Sequence, residues 1–184
     1  MNFKNENILT INAGSSSIKM ALYEMQEEPV LKISGKIENI GTGKSELIIK
    51  ENDSNNTYKI DGHDYHSANR SLIGWLGKQE WFQNLKAIGH SIVHGMQHTE
   101  AAIINEDLLK QLQNIIDYDP DHLPAEIEII KILQEKYPDL LQVACFDTSF
   151  HTTIPAVAKT FAIPKNILMK AFSGMVFMAS LTVI

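Results

Sequence analysis

The chain has 184 residues, 44% of them hydrophobic and 21% charged, a balance typical of a soluble globular protein with one core and room to start a second domain. Its formal net charge of -6 disfavours nucleic acid and anionic membranes as partners, although a local cationic pocket is compatible with it. The single cysteine, Cys145, excludes an intrachain disulfide and fits a reducing cytoplasm. The polar start has no signal-peptide pattern, and the apolar tail, 171–184, is too short to span a bilayer.

The first third of the sequence predicts strands. An opening hairpin comprises strands over 8–12 and 18–25, and alternating apolar and polar residues predict a half-buried third strand over 30–37. Two further strands, 46–50 and 57–61, are separated by a polar stretch that predicts an open surface loop.

The remainder alternates helices and strands. Apolar spacing predicts helices over 65–76, after Asn105, and from Leu123 onwards, where proline follows directly. The segment 86–95 predicts a strand that leads into a loop. A mostly apolar run over 140–146 predicts a buried strand, with its cysteine as a core residue rather than a nucleophile. Together these elements predict an α/β or α+β domain.

A polar turn separates the first two predicted strands. It offers backbone N–H groups, hydroxyls, an amide and an ammonium group, which are the groups that hold phosphate oxygens. These groups belong to Asn12, Gly14, Ser15, Ser16, Ser17 and Lys19. An ordinary serine-rich hairpin is the alternative interpretation, and the spacing does not match the Walker A pattern.

The pattern Asn-x-Gly-Ser-Ser-Ser-x-Lys after an apolar strand resembles the first signature of the acetate kinase family, which includes acetate and propionate kinases. The resemblance implies the N-terminal domain of the acetate and sugar kinase/actin-like (ribonuclease H-like) superfamily, a mixed sheet with flanking helices. It implies phosphoryl transfer from ATP to a short carboxylate with Mg²⁺, giving ADP and an acyl phosphate. It places Asn12, Ser15, Ser17 and Lys19 at the phosphate end.

A second block, 89–95, resembles the family pattern Gly-His-Arg-Val-Val-His-Gly-Gly. By resemblance Val93 and His94 lie near the carboxylate substrate. The family arginine is replaced by Ser91, and Met96 replaces the last glycine. Because serine lacks a charged bidentate fork, we expect a large loss of transition-state stabilisation.

The histidines of this segment have a structural interpretation as well. His90 and His94 are typical of buried strand histidines satisfied by hydrogen bonds, and a metal site formed by them with His98 is disfavoured by their spacing.

A third block, 146–155, resembles Phe-Asp-Thr-Ala-Phe-His-x-Thr-Met-Pro. The resemblance makes Asp147 the catalytic aspartate and, with Asn12, a ligand of Mg²⁺. Without it, an aspartate at a strand end would be assigned to an Asx-turn or a helix cap. Between the blocks, a family Leu-Ala-Pro-Leu-His-Asn-Pro segment agrees only at Pro120, His122 and Pro124.

The resemblance covers about residues 8–170, so we expect a kinase-like N-terminal domain over 1–170 and a divergent tail over 171–184. A permitted coding of the tail, read in a shifted frame, restores the family block that precedes the second domain. We therefore expect a frameshifted, truncated chain with little or no activity. A non-catalytic phosphate- or nucleotide-binding remnant and an aggregating pseudogene product are the alternatives, and a family homodimer and the identity of the acid stay open.

Overall fold

The computed structural model describes residues 6–52, 54–95, 98 and 100–147. Two short 3-10 helices, Glu80–Asn84 and Ile116–Tyr118, accompany the regular elements. The third block beyond Asp147 and the predicted out-of-frame tail lie outside the described residues. The regular elements are β1 (Asn7–Ala13), β2 (Ile18–Glu24), β3 (Val30–Glu38), β4 (Glu46–Glu51), β5 (Ser54–Lys59), α1 (Tyr65–Leu76), β6 (Leu85–Ile92), β7 (Ala102–Ile103), α2 (Glu106–Asn114), α3 (Leu123–Lys136) and β8 (Leu141–Phe146).

The strands form one 8-stranded mixed sheet in the order β5-β4-β3-β2-β1-β6-β8-β7. β1, β6 and β8 are parallel neighbours, and the other pairs are antiparallel. Parallel neighbours need a crossover, and α1 precedes β6 while α2 and α3 precede β8. The carboxyl ends of these three central strands therefore meet at one edge of the sheet.

The three described helices pack against the same face of the sheet. Alternate residues of the strands, such as Leu9, Ile11 and Ala13 of β1, form a core with apolar residues of α1 and α3. A second core joins Ile92 and Phe146 to α2 and α3. Because strand residues alternate between faces, their neighbours in sequence lie on the face that these helices leave uncovered.

Local sequence explains where the helices begin. The Asp64 carboxylate accepts a hydrogen bond from the Ser67 backbone at 2.8 Å, and the Asp64 backbone N–H donates to the Ser67 hydroxyl at 3.1 Å. Asn105 caps α2 through the Leu108 amide at 2.8 Å, and Pro124 lies in the first turn of α3. None of the described helices is long and apolar enough to cross a membrane.

The predicted elements are confirmed except in detail. β5 begins at Ser54, so the predicted open loop is wrong. Glu51 pairs with Ser54, and Asn52 adopts a φ of 51°, which asparagine tolerates in a tight turn. The two-residue edge strand β7 was not predicted.

The prediction of a buried last strand is confirmed for only one face of β8. Gln142, Ala144 and Phe146 of β8 are buried, whereas Leu141 and Cys145 are exposed. Helices cover only one face of β8 among the described residues, so the apolar composition of the strand misled the prediction. Cys145 is therefore a surface residue of the sheet and not a core residue.

Candidate functional site

Strand register brings the polar residues of three separate motifs into one row across the uncovered face. Asn12 of β1 pairs with Lys19 of β2 on one side and with Ser91 of β6 on the other. Ser91 pairs in turn with Cys145 of β8. The row lies at the carboxyl ends of the parallel strands, where open α/β sheets bind ligands.

Asp147 follows β8 directly and joins this row through Ser91. The Ser91 hydroxyl donates a hydrogen bond to Asp147 Oδ1 at 2.9 Å, although the residues are 56 positions apart in sequence. The bond orients a half-buried carboxylate next to β6, the strand that lies between β8 and β1. Ser91 is thus a neutral partner of the aspartate, at the position where the family pattern has arginine.

A shallow cavity of ≈ 290 Å³ lies over the row. Asn12, Lys19 and Ser91 line it together with Gly89, and most of its exposed lining is apolar. Cys145 also lines the cavity, and partial burial of its sulfur together with the negative charge of Asp147 raises the pKa of its thiol. A raised pKa keeps the thiol protonated, which argues against a nucleophilic cysteine.

The serine-rich turn continues from the row at the end of β1. The Gly14 backbone N–H donates to the Ser17 carbonyl at 2.9 Å and closes the turn. Ser15 and Ser16 are exposed at its tip and Ser17 is half-buried. The Tyr65 hydroxyl, from the start of α1, donates a hydrogen bond to the Gly14 carbonyl.

The predicted substrate residues follow β6 and differ in exposure. Val93 is half-buried, whereas His94 is only 2% exposed and its ring is not open to solvent in this structure. The backbone N–H of Val93 donates to Glu126 Oε1 of α3 at 3.2 Å. Glu126 therefore ties the segment after β6 to a helix on the covered face.

Glu126 belongs to a buried acidic pair. It is 2% exposed and Asp119 is 3% exposed. Burial raises the pKa of Glu126 to about 8, the Val93 amide opposes the shift, and the negative charges of Asp119 and Asp147 add to it. Asp119 accepts from His122 Nδ1 at 2.9 Å, while the second oxygen of each carboxyl has no hydrogen-bond partner within the described ranges.

His90 is a buried strand histidine with a hydrogen-bond partner, as the structural interpretation of the sequence predicts. It is 2% exposed, and its Nε2 lies 2.8 Å from Gln142 Oε1. The amide nitrogen of Gln142 donates to the Ile130 carbonyl at 3.3 Å, so the oxygen of Gln142 accepts and His90 carries its proton on Nε2. Burial lowers the pKa of His90 to about 4, and the ring is neutral at physiological pH.

The oxygen donors of this edge fit Mg²⁺ better than a transition metal. Within residues 6–52, 54–95, 98 and 100–147, no cluster of three or more His, Cys, Asp or Glu side chains is arranged to hold a metal ion. Mg²⁺ commonly uses one or two carboxylates and completes its coordination with water and substrate phosphates. The Asp147 carboxylate is a donor of this type, and the Asn12 side chain, on the second strand away, offers a further oxygen.

Sequence reasoning missed Tyr65 and Glu126. Each touches the site through a partner far away in sequence, 51 positions for Tyr65 and 33 for Glu126. The sequence did offer one signal for burial of Glu126: it lies next to Ile127, within a segment whose apolar residues have helical spacing. For Tyr65 the sequence offers no comparable signal.

Comparisons with known proteins agree with this architecture. The sequence pattern of the acetokinase family matches residues 7–172. The acetate kinase of Chromobacterium violaceum (strain ATCC 12472) is 34% identical over 164 residues, covering 89% of this chain and 41% of that protein. The acetate kinase of Francisella tularensis subsp. holarctica is 36% identical over 164 residues, covering 89% and 42%.

A solved structure gives the same result. A propionate kinase from Francisella tularensis subsp. tularensis SCHU S4 superposes with a TM-score of 0.75 and 33% identity, covering 90% of this chain and 43% of that one. The chain spans about two-fifths of the length of these relatives. Its mixed sheet with helices confirms the predicted fold, the N-terminal domain of the acetate and sugar kinase/actin-like superfamily. This chain belongs to the acetokinase family.

Proposed function

We propose that this chain supplies one wall of a kinase active site that transfers the terminal phosphoryl group of ATP to a short carboxylate. The supporting observation is the row of Lys19, Asn12 and Ser91 with Asp147 at the carboxyl edge of the parallel strands. Family membership and the names of the relatives, acetate and propionate kinases, support the same reaction.

In this reaction a carboxylate oxygen of the acid forms a bond to the γ-phosphorus. The bond from that phosphorus to the β–γ bridging oxygen breaks, and ADP leaves with the electron pair. No proton transfer is needed, so positioning and charge neutralisation are the protein's tasks. We assign neutralisation to the Lys19 ammonium group, and orientation of the phosphates to Asn12, Ser15 and Ser17.

Asp147 and Asn12 would hold Mg²⁺, with Ser91 fixing the orientation of the carboxylate. When bound, the ion supplies charge neutralisation for the phosphate oxygens. We assign Val93 to the wall of the pocket for the acid's alkyl group. His94 takes part in substrate binding only if its buried ring becomes accessible when a ligand arrives.

A second function, nucleotide binding without turnover, is favoured by Ser91. A hydroxyl that already donates to Asp147 cannot neutralise the developing charge as an arginine would. We infer that turnover by this chain is weak, because loss of an arginine from a phosphoryl-transfer site costs several orders of magnitude in rate.

Two measurements on the purified 184-residue chain separate these functions. Calorimetry with ATP and Mg²⁺ measures binding, and trapping of acyl phosphate by hydroxylamine, with acetate or propionate as the acid, measures turnover. Binding that is weakened by Asp147→Asn, with turnover that rises in Ser91→Arg, supports the kinase. ATP binding without turnover, both in the unaltered chain and in Ser91→Arg, supports the second function, nucleotide binding alone.

Absence of ATP binding by the unaltered chain would contradict both functions. Lys50→Met is the control variant for these experiments. Lys50 is an exposed lysine of β4 on the same face of the sheet, remote from the row in strand order, and its loss should leave binding unchanged.

A further inference from the structure

The serine-rich turn is held from outside by a helix that has no part in the sequence motif. The Tyr65 hydroxyl donates a hydrogen bond to the Gly14 carbonyl. Gly14 and Ser17 are the two residues whose own hydrogen bond closes the turn. The Tyr65 side chain therefore contacts one end of the turn directly, and the other end is linked to it by the turn's own hydrogen bond.

Tyr65 is itself rigidly placed. It is the first residue of α1, directly after Asp64, whose carboxylate and backbone amide form the reciprocal cap with Ser67. Ala68 and Leu72 of the same helix are 0% and 1% exposed in the core. The hydroxyl is therefore fixed relative to the sheet, and the turn is fixed relative to the hydroxyl.

The phenol is suited to this role because it stays protonated. Burial of the half-buried ring raises the pKa of Tyr65, so the hydroxyl is protonated and able to donate at neutral pH. Ser15 and Ser16 lie between Gly14 and Ser17 and are exposed. Their hydroxyls make no hydrogen bond within the part of the chain that the structure describes.

We propose that Tyr65 is a positioning residue that fixes the turn from Gly14 to Ser17 in the shape that presents Ser15 and Ser17 to the phosphate groups of ATP. This inference rests on the proposed function, because it assumes that the turn binds phosphate. Tyr65 does not touch the phosphates; it acts through the backbone of the turn.

The first test measures the turn itself. Tyr65→Phe removes one oxygen and keeps the ring, and Tyr118→Phe, at an exposed tyrosine, is the matched control. We expect amide hydrogen exchange of Gly14, followed by NMR, to become about three- to tenfold faster in Tyr65→Phe, the size expected for one lost hydrogen bond. Exchange of the Ile11 and Met20 amides should stay unchanged.

The second test measures binding of ATP with Mg²⁺ by calorimetry. We expect Kd to rise about three- to tenfold in Tyr65→Phe, with Tm lowered by only about 2–4 °C, and to rise in Ser15→Ala. Tyr118→Phe should bind like the unaltered chain.

The two tests separate the inference from the function on which it rests. If Gly14 exchange is unchanged in Tyr65→Phe, or if Ile11 and Met20 exchange faster as well, Tyr65 does not position the turn. If Ser15→Ala weakens binding and Tyr65→Phe does not, the positioning role is also overturned. If neither Ser15→Ala nor Lys19→Met affects binding, the turn is not a phosphate site, and the proposed function fails independently of the exchange result.

Discussion

The two faces of the central strands place neighbouring residues in opposite environments. On β1, Ile11 is 2% exposed beneath the helices, whereas Asn12 is exposed on the other face. On β6, His90 is 2% exposed, whereas Ser91 is half-buried and bonded to Asp147. One step along a strand separates the residues that hold the fold together from those that we assign to ligand binding.

The difference shows how the fold treats polar groups. On the covered side, burial holds His90 neutral by lowering its pKa to about 4 and favours protonated Glu126 by raising its pKa to about 8. Lys19 remains exposed on the other side. Burial thus favours the uncharged forms of His90 and Glu126 on the covered side, whereas the Lys19 side chain stays exposed to solvent on the other.

The largest expected effect tests the difference between the two faces of β1. Ile11→Ala should lower the free energy of unfolding by about 2–5 kcal/mol, because it removes buried methyl groups and leaves a cavity. Asn12→Ala should change it by less than about 0.5 kcal/mol and should instead weaken binding of ATP with Mg²⁺. Urea unfolding and calorimetry on both variants measure the two effects. Equal destabilisation by the two variants would show that the faces do not differ in this way.

The next effect concerns pH and Glu126. The folded state holds the Glu126 proton up to about pH 8, while the unfolded state releases it near 4.5, so the folded state binds more protons between these values. The contribution of Glu126 to stability therefore falls as pH rises through this window. Between pH 6.5 and 8 the loss is about 2 kcal/mol, at roughly 1.4 kcal/mol per unit. Below pH 6.5 the lowered pKa of His90 gives the opposite slope, because the unfolded histidine takes up the proton first.

Glu126→Gln isolates this contribution, since the amide oxygen still accepts from Val93. The stability difference between the variant and the unaltered chain should grow in the variant's favour from pH 6.5 to 8. His63, whose pKa is raised by its hydrogen bond to Asp61, is present in both proteins and cancels. Glu135→Gln, at an exposed position of α3, should show no such trend. A difference that is flat with pH would exclude a proton on folded Glu126.

A smaller effect is expected from the cation of the row. Lys19→Met should raise the Kd for ATP with Mg²⁺ by roughly tenfold, about 1.4 kcal/mol, because it removes a charged donor from the phosphate end. The loss should diminish at high salt, which screens exposed charges. Lys50→Met carries the same change of net charge, so a similar loss in both variants would indicate a non-specific electrostatic effect.

The sequence predicted the fold far better than the contacts of the site. Alternation in β1 to β4 and helical spacing in α2 and α3 are local patterns, and they determined the elements and most of their bounds. The strand β7, Ala102–Ile103, could not be predicted because two residues are too few to show an alternation of apolar and polar side chains. The environment of Cys145 depends on which face the helices cover, and the composition of β8 does not contain that information.

The sequence motifs identified the candidate site residues. Which of these residues become neighbours depends on the register of strand pairing. The Ser91 to Asp147 bond follows from the parallel pairing of β6 and β8, which no local pattern specifies. The contacts of Tyr65 and Glu126 are of the same kind, since they join a strand end to a helix. Long-range packing decides them, and a single sequence gives no measure of it.

The smallest expected effect sharpens the role of Ser91. Ser91→Ala removes the hydroxyl that donates to Asp147 Oδ1, so the carboxylate becomes free to rotate. If Asp147 contributes through Mg²⁺, Kd for ATP should rise about threefold with the metal present and stay unchanged without it, which corresponds to one hydrogen bond of ordinary strength. Ser34→Ala, at a half-buried serine of β3 on the same face, should change neither value. An equal rise of Kd with and without Mg²⁺ would instead mean that Ser91 contacts the nucleotide directly. Ser91 would then not act by orienting Asp147.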